Sequence, residues 1–310
     1  MKSPTRHFLT LTDHSPSEIK ALLSLAVQIK SKPSRFSSAL KGQCLAMIFE
    51  KNSTRTRVSF EVGMTQLGGH ALFLGKQDIQ MGKSETVPDT ARVLSRFVQG
   101  IMIRTFSQGT VEELAKHASV PVINGLSDSH HPCQALADLL TIQEHFGKLQ
   151  GLQGIYVGDG NNVAHSLMEA CSKVGMHLRL VCPEGYRPDP KVLSYVQKEG
   201  KTTGSKFDVT GKVLGSVRGV DWVYTDVWTS MGQETESKKR LEAFKGYQVN
   251  EKLMSESPKA IFLHCLPAHR GEEVSAGVLE GPRSRVWDQA ENRMHAQKAL
   301  LVTLMGKKGK

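Results

Sequence analysis

The chain has 310 residues, 39% hydrophobic and 23% charged, enough to build cores for about two globular domains. No apolar run approaches the roughly 20 residues of a membrane span, and the first residues lack the apolar stretch and cleavage site of a secretory signal, so a cytoplasmic protein is expected. A formal charge of +10 fits nucleic acid, an acidic surface or small anionic substrates, but aromatics at 6% and dispersed cations argue against a nucleic-acid module.

Residues 15–30 place Ile19, Leu22, Leu23, Ala26 and Ile29 at helical spacing behind an S-P-S-E cap and predict an N-terminal helix. C-L-A-M-I-F (44–49) reads as a buried strand. Val58 and Val62 with the stripe Phe60, Met64, Leu67 predict a helix stopped at Gly68-Gly69. A strand at 70–74 follows, then a helix marked by Val87, Ala91, Leu94 and Val98, a strand at 101–103, a helix over 110–118 and a strand at 121–124. A helix from Pro132 to Phe146 ends this run. The alternation restarts with a strand at 154–158, a helix over 162–174, a strand at 178–182, a helix over 189–199 and a strand at 221–225. A helix over 235–246, a strand at 260–264 and a helix over 288–304 complete it. Ahead of the strand at 221–225, the stretch 210–222 is basic or neutral where a more acidic helix is expected.

Two such runs predict an α/β protein of two doubly wound parallel-sheet domains with the active site in the cleft between them. The limits expected are 1–147, joined by the C-terminal helix of 288–310, and 148–287. Open α/β sheets bind ligands at the carboxyl ends of their strands, and six polar clusters fall at those ends.

In S-T-R-T-R, Ser53, Thr54, Arg55 and Thr56 open a helix whose first-turn N–H groups suit a phosphate; a capped helix with surface arginines is the equal alternative. Arg104 follows a buried strand, as a ligand or as a snorkelling structural arginine. His131 and Gln134 share one face at a helix start, placed for a carbonyl oxygen and an amide. V-G-D-G-N-N-V (157–163) imitates a dinucleotide fingerprint, but Val163 stands at the third glycine, so an oxidoreductase reading is weak. Asn161 and Asn162 beside a helix N-terminus suit a carboxylate instead. Asp226 suits an ammonium group, with the loop through Gly232 free to close over it. His264, Cys265 and His269 invite zinc, yet no further ligand set stands at a known spacing, leaving a nucleophilic thiol or a thiol that hydrogen-bonds an amine. Cys44, Cys133, Cys171 and Cys182 complete five scattered cysteines with no C-x-x-C pair, read as reduced thiols.

F-E-K-x-S-T-R-T-R, H-P-x-Q-A-L-A-D, D-V-W-x-S-M-G-Q-E, H-C-L-P and A-E-N-R, running in order from residue 49 to 293, resemble the aspartate/ornithine carbamoyltransferase family. S-T-R-T-R and H-P-x-Q belong to both branches; S-M-G and H-C-L-P put the resemblance on the ornithine side, with carbamoyltransferases acting on acylated ornithine or putrescine as near rivals. The resemblance implies that Ser53, Thr54, Arg55, Thr56 and Arg104 hold the phosphate of carbamoyl phosphate, with Arg55, His131 and Gln134 around the carbamoyl group and Arg293 joining them. It also implies Asn162 on the ornithine carboxylate, Asp226, Ser230 and Met231 on the amino-acid end, and Cys265 beside the reacting amine. The main chain of Cys265 and Leu266 would meet the carbamoyl NH2. Gln80 would reach a neighbouring subunit's site in a homotrimer or multiple of trimers. Arg55, His131 and Cys265 stand as the catalytic candidates, with no metal and no cofactor expected.

Overall fold

The computed structural model describes residues 5–230, 232 and 234–306. One unit runs to Leu140 and resumes at Asn292; the other takes Thr141–Glu291.

The first unit holds four parallel strands, β1 (Cys44–Phe49), β2 (His70–Gly75), β3 (Gly100–Arg104) and β4 (Val122–Leu126), in the order β2-β1-β3-β4. Its helices are α1 (Pro16–Ser31), α2 (Thr54–Gln66), α3 (Val87–Phe97), α4 (Gln108–His117) and the start of α5 (Pro132–Phe146). β3 and β4 are buried throughout and β1 from Leu45 on, which is why those segments read as unbroken apolar runs. In α1 the buried side chains are the five predicted, Ile19, Leu22, Leu23, Ala26 and Ile29; each Leu or Ile contributes roughly 1.5–3 kcal/mol. Ser15 and Glu18 form the capping box that starts it. In α2 the buried stripe is Phe60 and Met64, with Leu67 at the cap, whereas Val58 and Val62 lie two positions away, about 200° around the helix, and are exposed. Gly68 ends α2 at φ +79, and a Cβ there would stand 2.7 Å from the Ser37 carbonyl oxygen.

The second unit holds β5 (Gln153–Val157), β6 (His177–Val181), β7 (Phe207–Thr210), β8 (Trp222–Thr225) and β9 (Ile261–His264), all parallel, in the order β7-β6-β5-β8-β9. α6 (Asn162–Val174), α7 (Pro190–Thr203), α8 (Ser237–Ala243), α9 (Glu251–Ser255), α10 (Ala276–Leu279) and the start of α11 (Val286–Met305) accompany them. Gly154 sits in register with the fully buried Trp222, and a Cβ on it would lie 1.9 Å from the indole.

Three readings are corrected. The edge strand β7 lies just before the stretch expected to be helical, and residues 214–219 form turns: Gly215 and Gly219 take φ +77 and +75, which a right-handed helix cannot accommodate. The helix expected over 235–246 is shorter, a 3-10 turn at Glu234–Glu236 followed by α8, and Gly246 at φ +93 lies beyond it. α9 and α10 are short helices that the periodicity did not mark.

Each sheet is wound outward in both directions from its first strand. The order reverses between β1 and β3 in one unit and between β5 and β8 in the other. The carboxyl ends of these strand pairs are the switch points at which open α/β sheets bind ligands. Residues 50–56 with Arg104 occupy one; residues 158–162 with Asp226 occupy the other.

Candidate active site

At the β1/β3 switch point, Ser53 caps α2: its Oγ accepts from Thr56 N at 3.2 Å and donates to Thr56 Oγ1 at 3.0 Å. The cap serves the Thr56 N–H at the positive end of the α2 dipole, an end at which an anion is favoured. Arg104 ends β3 in register with Phe49, buried, and its carbonyl accepts from Glu50 N at 2.9 Å. Arg55 is half-buried and Thr54 exposed.

α5 brings in Gln134, with His131 immediately before its first residue, and α11 brings in Arg293; all three are buried. Arg293 Nη1 donates to Gln134 Oε1 at 2.7 Å and Nη2 to Thr56 Oγ1 at 3.0 Å. Gln134 Nε2 donates in turn to Asp138 Oδ1 at 2.8 Å. Burial, followed by the charges of Arg293, Arg104 and Arg55, holds the His131 imidazole well below its usual pKa. All three guanidiniums act on the His131 ring as neighbouring positive charges. Gln80 is not drawn into this group: it is exposed, and among the described residues its hydrogen bonds stay within residues 80–85. Sequence reasoning missed Lys51, buried between strand end and cap, which pairs with Asp128 and lies 4.3 Å over the Phe106 ring. Its place inside F-E-K was the available signal.

At the β5/β8 switch point the centre is Asp226, buried just past β8. Asn161 Nδ2 donates to Asp226 Oδ2 at 2.9 Å, and Cys265 Sγ donates to Asp226 Oδ1 at 2.9 Å. Asn161 also caps α6, and Asn162, buried, is the first residue of that helix. Two glycines make the fingerprint look-alike a structural turn. Gly158 takes φ +145, and a Cβ on Gly160 would meet Pro188 N at 2.3 Å. Asp159, between them, forms a buried ion pair with Arg240 at 2.7 Å, and Arg240 also donates to the Trp228 carbonyl at 3.0 Å, tying the loop after β8 to the loop after β5. Sequence reasoning did not find this pair, since its members stand 81 residues apart. Ser230 is half-buried on that loop; Met231 lies outside the described residues.

Cys265 follows β9, and His264 holds the turn after it. Leu266 N donates to His264 Nδ1 at 2.8 Å, so the ring proton sits on Nε2, 3.1 Å from Glu273 Oε1. Leu266 adopts φ +58, at a cost of about 1–3 kcal/mol that this hydrogen bond helps offset. With both ring nitrogens engaged, His264 offers no lone pair to a metal, and His269 falls in a separate cluster with Glu272 and Glu273. Burial pushes the Cys133 and Cys182 thiols up to about 12. Neither forms a thiolate near neutral pH.

Residues 6–144 match the family model for the carbamoyl-P binding domain of aspartate/ornithine carbamoyltransferase, and residues 150–304 match the model for its Asp/Orn binding domain. The chain belongs to the aspartate/ornithine carbamoyltransferase family. Within it, the chain is 56% identical over 303 residues to a protein of Anoxybacillus flavithermus named ornithine carbamoyltransferase, covering 97% of this chain and 96% of that one. The solved ornithine carbamoyltransferase of Pyrococcus furiosus superposes with a TM-score of 0.95 at 51% identity, covering 99% of each chain. The anabolic ornithine carbamoyltransferase of Campylobacter jejuni gives 0.92 at 39% identity over 97% of this chain and 99% of that one.

Proposed function

We propose that the chain transfers the carbamoyl group of carbamoyl phosphate to the δ-amine of L-ornithine, giving L-citrulline and phosphate in arginine metabolism. The observation that carries the choice of amino acid is Asp226, a buried carboxylate whose two oxygens each accept one hydrogen bond and keep lone pairs for an ammonium. Through its hydrogen bond to the Cys265 thiol this carboxylate also borders the reacting-amine end, where aspartate would present its second carboxylate.

The first unit's residues are read as the carbamoyl phosphate site. Ser53, Thr54, Thr56, Arg55 and Arg104 take the phosphate, while Arg55, His131 and Gln134 take the carbamoyl group. A neutral His131 donates or accepts a hydrogen bond without adding charge, and the guanidiniums stabilise the oxyanion that forms when the amine adds to the carbamoyl carbon. Losing one such donor typically costs about 100-fold or more in rate. Arg293 works by holding Gln134 and Thr56 in place. In the second unit Asn162, Asp226 and Ser230 take the ornithine backbone groups. Cys265, whose thiol is hydrogen-bonded to Asp226, orients the reacting amine. That amine has an ordinary pKa of about 10.4, so presenting it neutral near pH 7.4 costs roughly 4 kcal/mol. Addition of the amine forms the C–N bond; the tetrahedral adduct then breaks its C–O bond to expel phosphate, which carries away the amine's proton.

A homotrimer, or a multiple of trimers, is the assembly proposed, with Gln80 reaching a neighbour; its exposed place on a surface loop supports this. No helix among the described residues is long and apolar enough to cross a membrane. Five free thiols fit a cytoplasmic setting. The test is phosphate release from carbamoyl phosphate with ornithine, N-acetylornithine, putrescine and aspartate side by side. Release with ornithine far above the rest is expected, and release only with aspartate overturns the reading.

A further inference from the structure

Asn161 performs two jobs with one amide. Its Oδ1 accepts from Val163 N at 3.0 Å and Ala164 N at 3.2 Å, and from the Tyr156 hydroxyl at 3.4 Å. Because backbone N–H groups can only donate, the oxygen must face α6, and the NH2 end must face Asp226. The amide orientation is thus dictated by the helix, and the helix thereby fixes which donor meets the carboxylate. Tyr156 reinforces this from below: its ring stacks on Tyr224 with centroids 5.8 Å apart, and it is fully buried. Burial, then the charges of Asp226 and Asp159, push the Tyr156 phenol well above its usual pKa, so it stays a hydroxyl donor. On the other side, Cys265 Sγ occupies Asp226 Oδ1.

We infer that Asn161 is a positioning residue for the cationic substrate: it sets the rotation of the Asp226 carboxylate and registers it against the N-terminus of α6, where Asn162 begins the helix. The two ends of an amino acid, one cationic and one anionic, are then gripped at a separation fixed by a single side chain. This rests on the ornithine reading above. Without the Nδ2 donor, Asp226 loses the bond that holds one oxygen, so affinity for the amino acid falls while carbamoyl phosphate is untouched.

The test uses the full chain and two substitutions. Asn161→Ser retains a hydroxyl that caps a helix about as well as asparagine, yet has no second arm to reach Asp226. Asn161→Asp also retains the cap but sets a carboxylate where the donor stood, 2.9 Å from Asp226 Oδ2 in the parent. Wild type and both variants are assayed for kcat and for the KM of each substrate from pH 6 to 9, with thermal unfolding alongside. Expected for Asn161→Ser is an ornithine KM raised about tenfold or more, with the carbamoyl phosphate KM within about twofold. Expected for Asn161→Asp is an extra ionisation in the ornithine KM profile, because two carboxylates in contact share a proton. A serine variant that folds with an unchanged ornithine KM, or that raises both KM values equally, overturns the inference. If that variant does not fold, an aspartate variant with the wild-type pH profile does so. Wild type that turns over no ornithine refutes the functional reading instead, so the two failures are distinguishable.

Discussion

Arg293 Nη1 and Gln134 Oε1, 159 residues apart in the chain, are joined by a buried 2.7 Å hydrogen bond. The other terminal nitrogen of Arg293 reaches Thr56 at the start of α2. One guanidinium therefore fixes the amide of α5 and a hydroxyl in the first turn of α2 together, and a lysine has no planar fork to do both. Arg293→Lys should lower kcat/KM for carbamoyl phosphate by about 10- to 100-fold and leave the ornithine KM within about threefold. Steady-state kinetics with each substrate varied in turn check this.

Arg55 and Arg57 look equivalent in S-T-R-T-R but face different surroundings. Arg57 is half-exposed, stacks 3.8 Å from the Phe73 ring and pairs with Glu61 at 3.0 Å, so it supports the outside of α2. Arg57→Ala should cost less than about 1 kcal/mol of stability and leave turnover within about threefold. Arg55→Ala should lose about 100-fold or more in kcat with an unchanged circular dichroism spectrum. Comparable turnover in the two variants would contradict the assignment.

Cys265 donates to Asp226 at 2.9 Å, a bond that a serine hydroxyl can also make. Cys265→Ser should retain measurable turnover. Mass spectrometry of the wild-type enzyme quenched during turnover should show no carbamoyl adduct on the thiol; an adduct, with a dead serine variant, would make the thiol a nucleophile.

His131 titrates low because it is buried beside three arginines. A histidine whose folded pKa lies below its unfolded value of about 6.5 leaves the unfolded chain binding more protons below that pH. Its neutral form is accommodated fully above pH 6.5, and stability is lost as pH falls below it, by up to about 1.4 kcal/mol per pH unit. His7 and His14 shift the same way through burial and add to the loss. The melting temperature of His131→Gln should therefore fall less steeply than that of wild type between pH 6.5 and 5. Because His131 is already neutral above that range, the expected rise of activity toward mildly alkaline pH belongs to the substrate amine. A flat profile from pH 6 to 9 with chemistry rate-limiting would contradict that.

Most strands and the longer helices were legible because a strand buried on both faces is a bare apolar run, while α1 carries a clear buried stripe and capping box and α6 an asparagine cap. β7 was not, since F-D-V-T is four residues long at a sheet edge and only its first residue is buried. The site motifs were readable because strand ends concentrate polar residues where the topology reverses. What escaped was pairing across long separations, as in Arg240 with Asp159 and Lys51 with Asp128. Side-chain partners are set by how the strands are ordered, and no local periodicity encodes that order. Asn161 was noticed beside Asn162, but its bond to Asp226 became visible only once β5 and β8 lay side by side.

The most direct measurement follows [13C]carbamoyl phosphate by 13C NMR in the presence of L-ornithine, L-aspartate and the protein. The account predicts that the carbamoyl carbon moves into the ureido group of citrulline, one phosphate appearing for each citrulline. Carbon appearing only as bicarbonate from hydrolysis, or reaching aspartate and not ornithine, would contradict it.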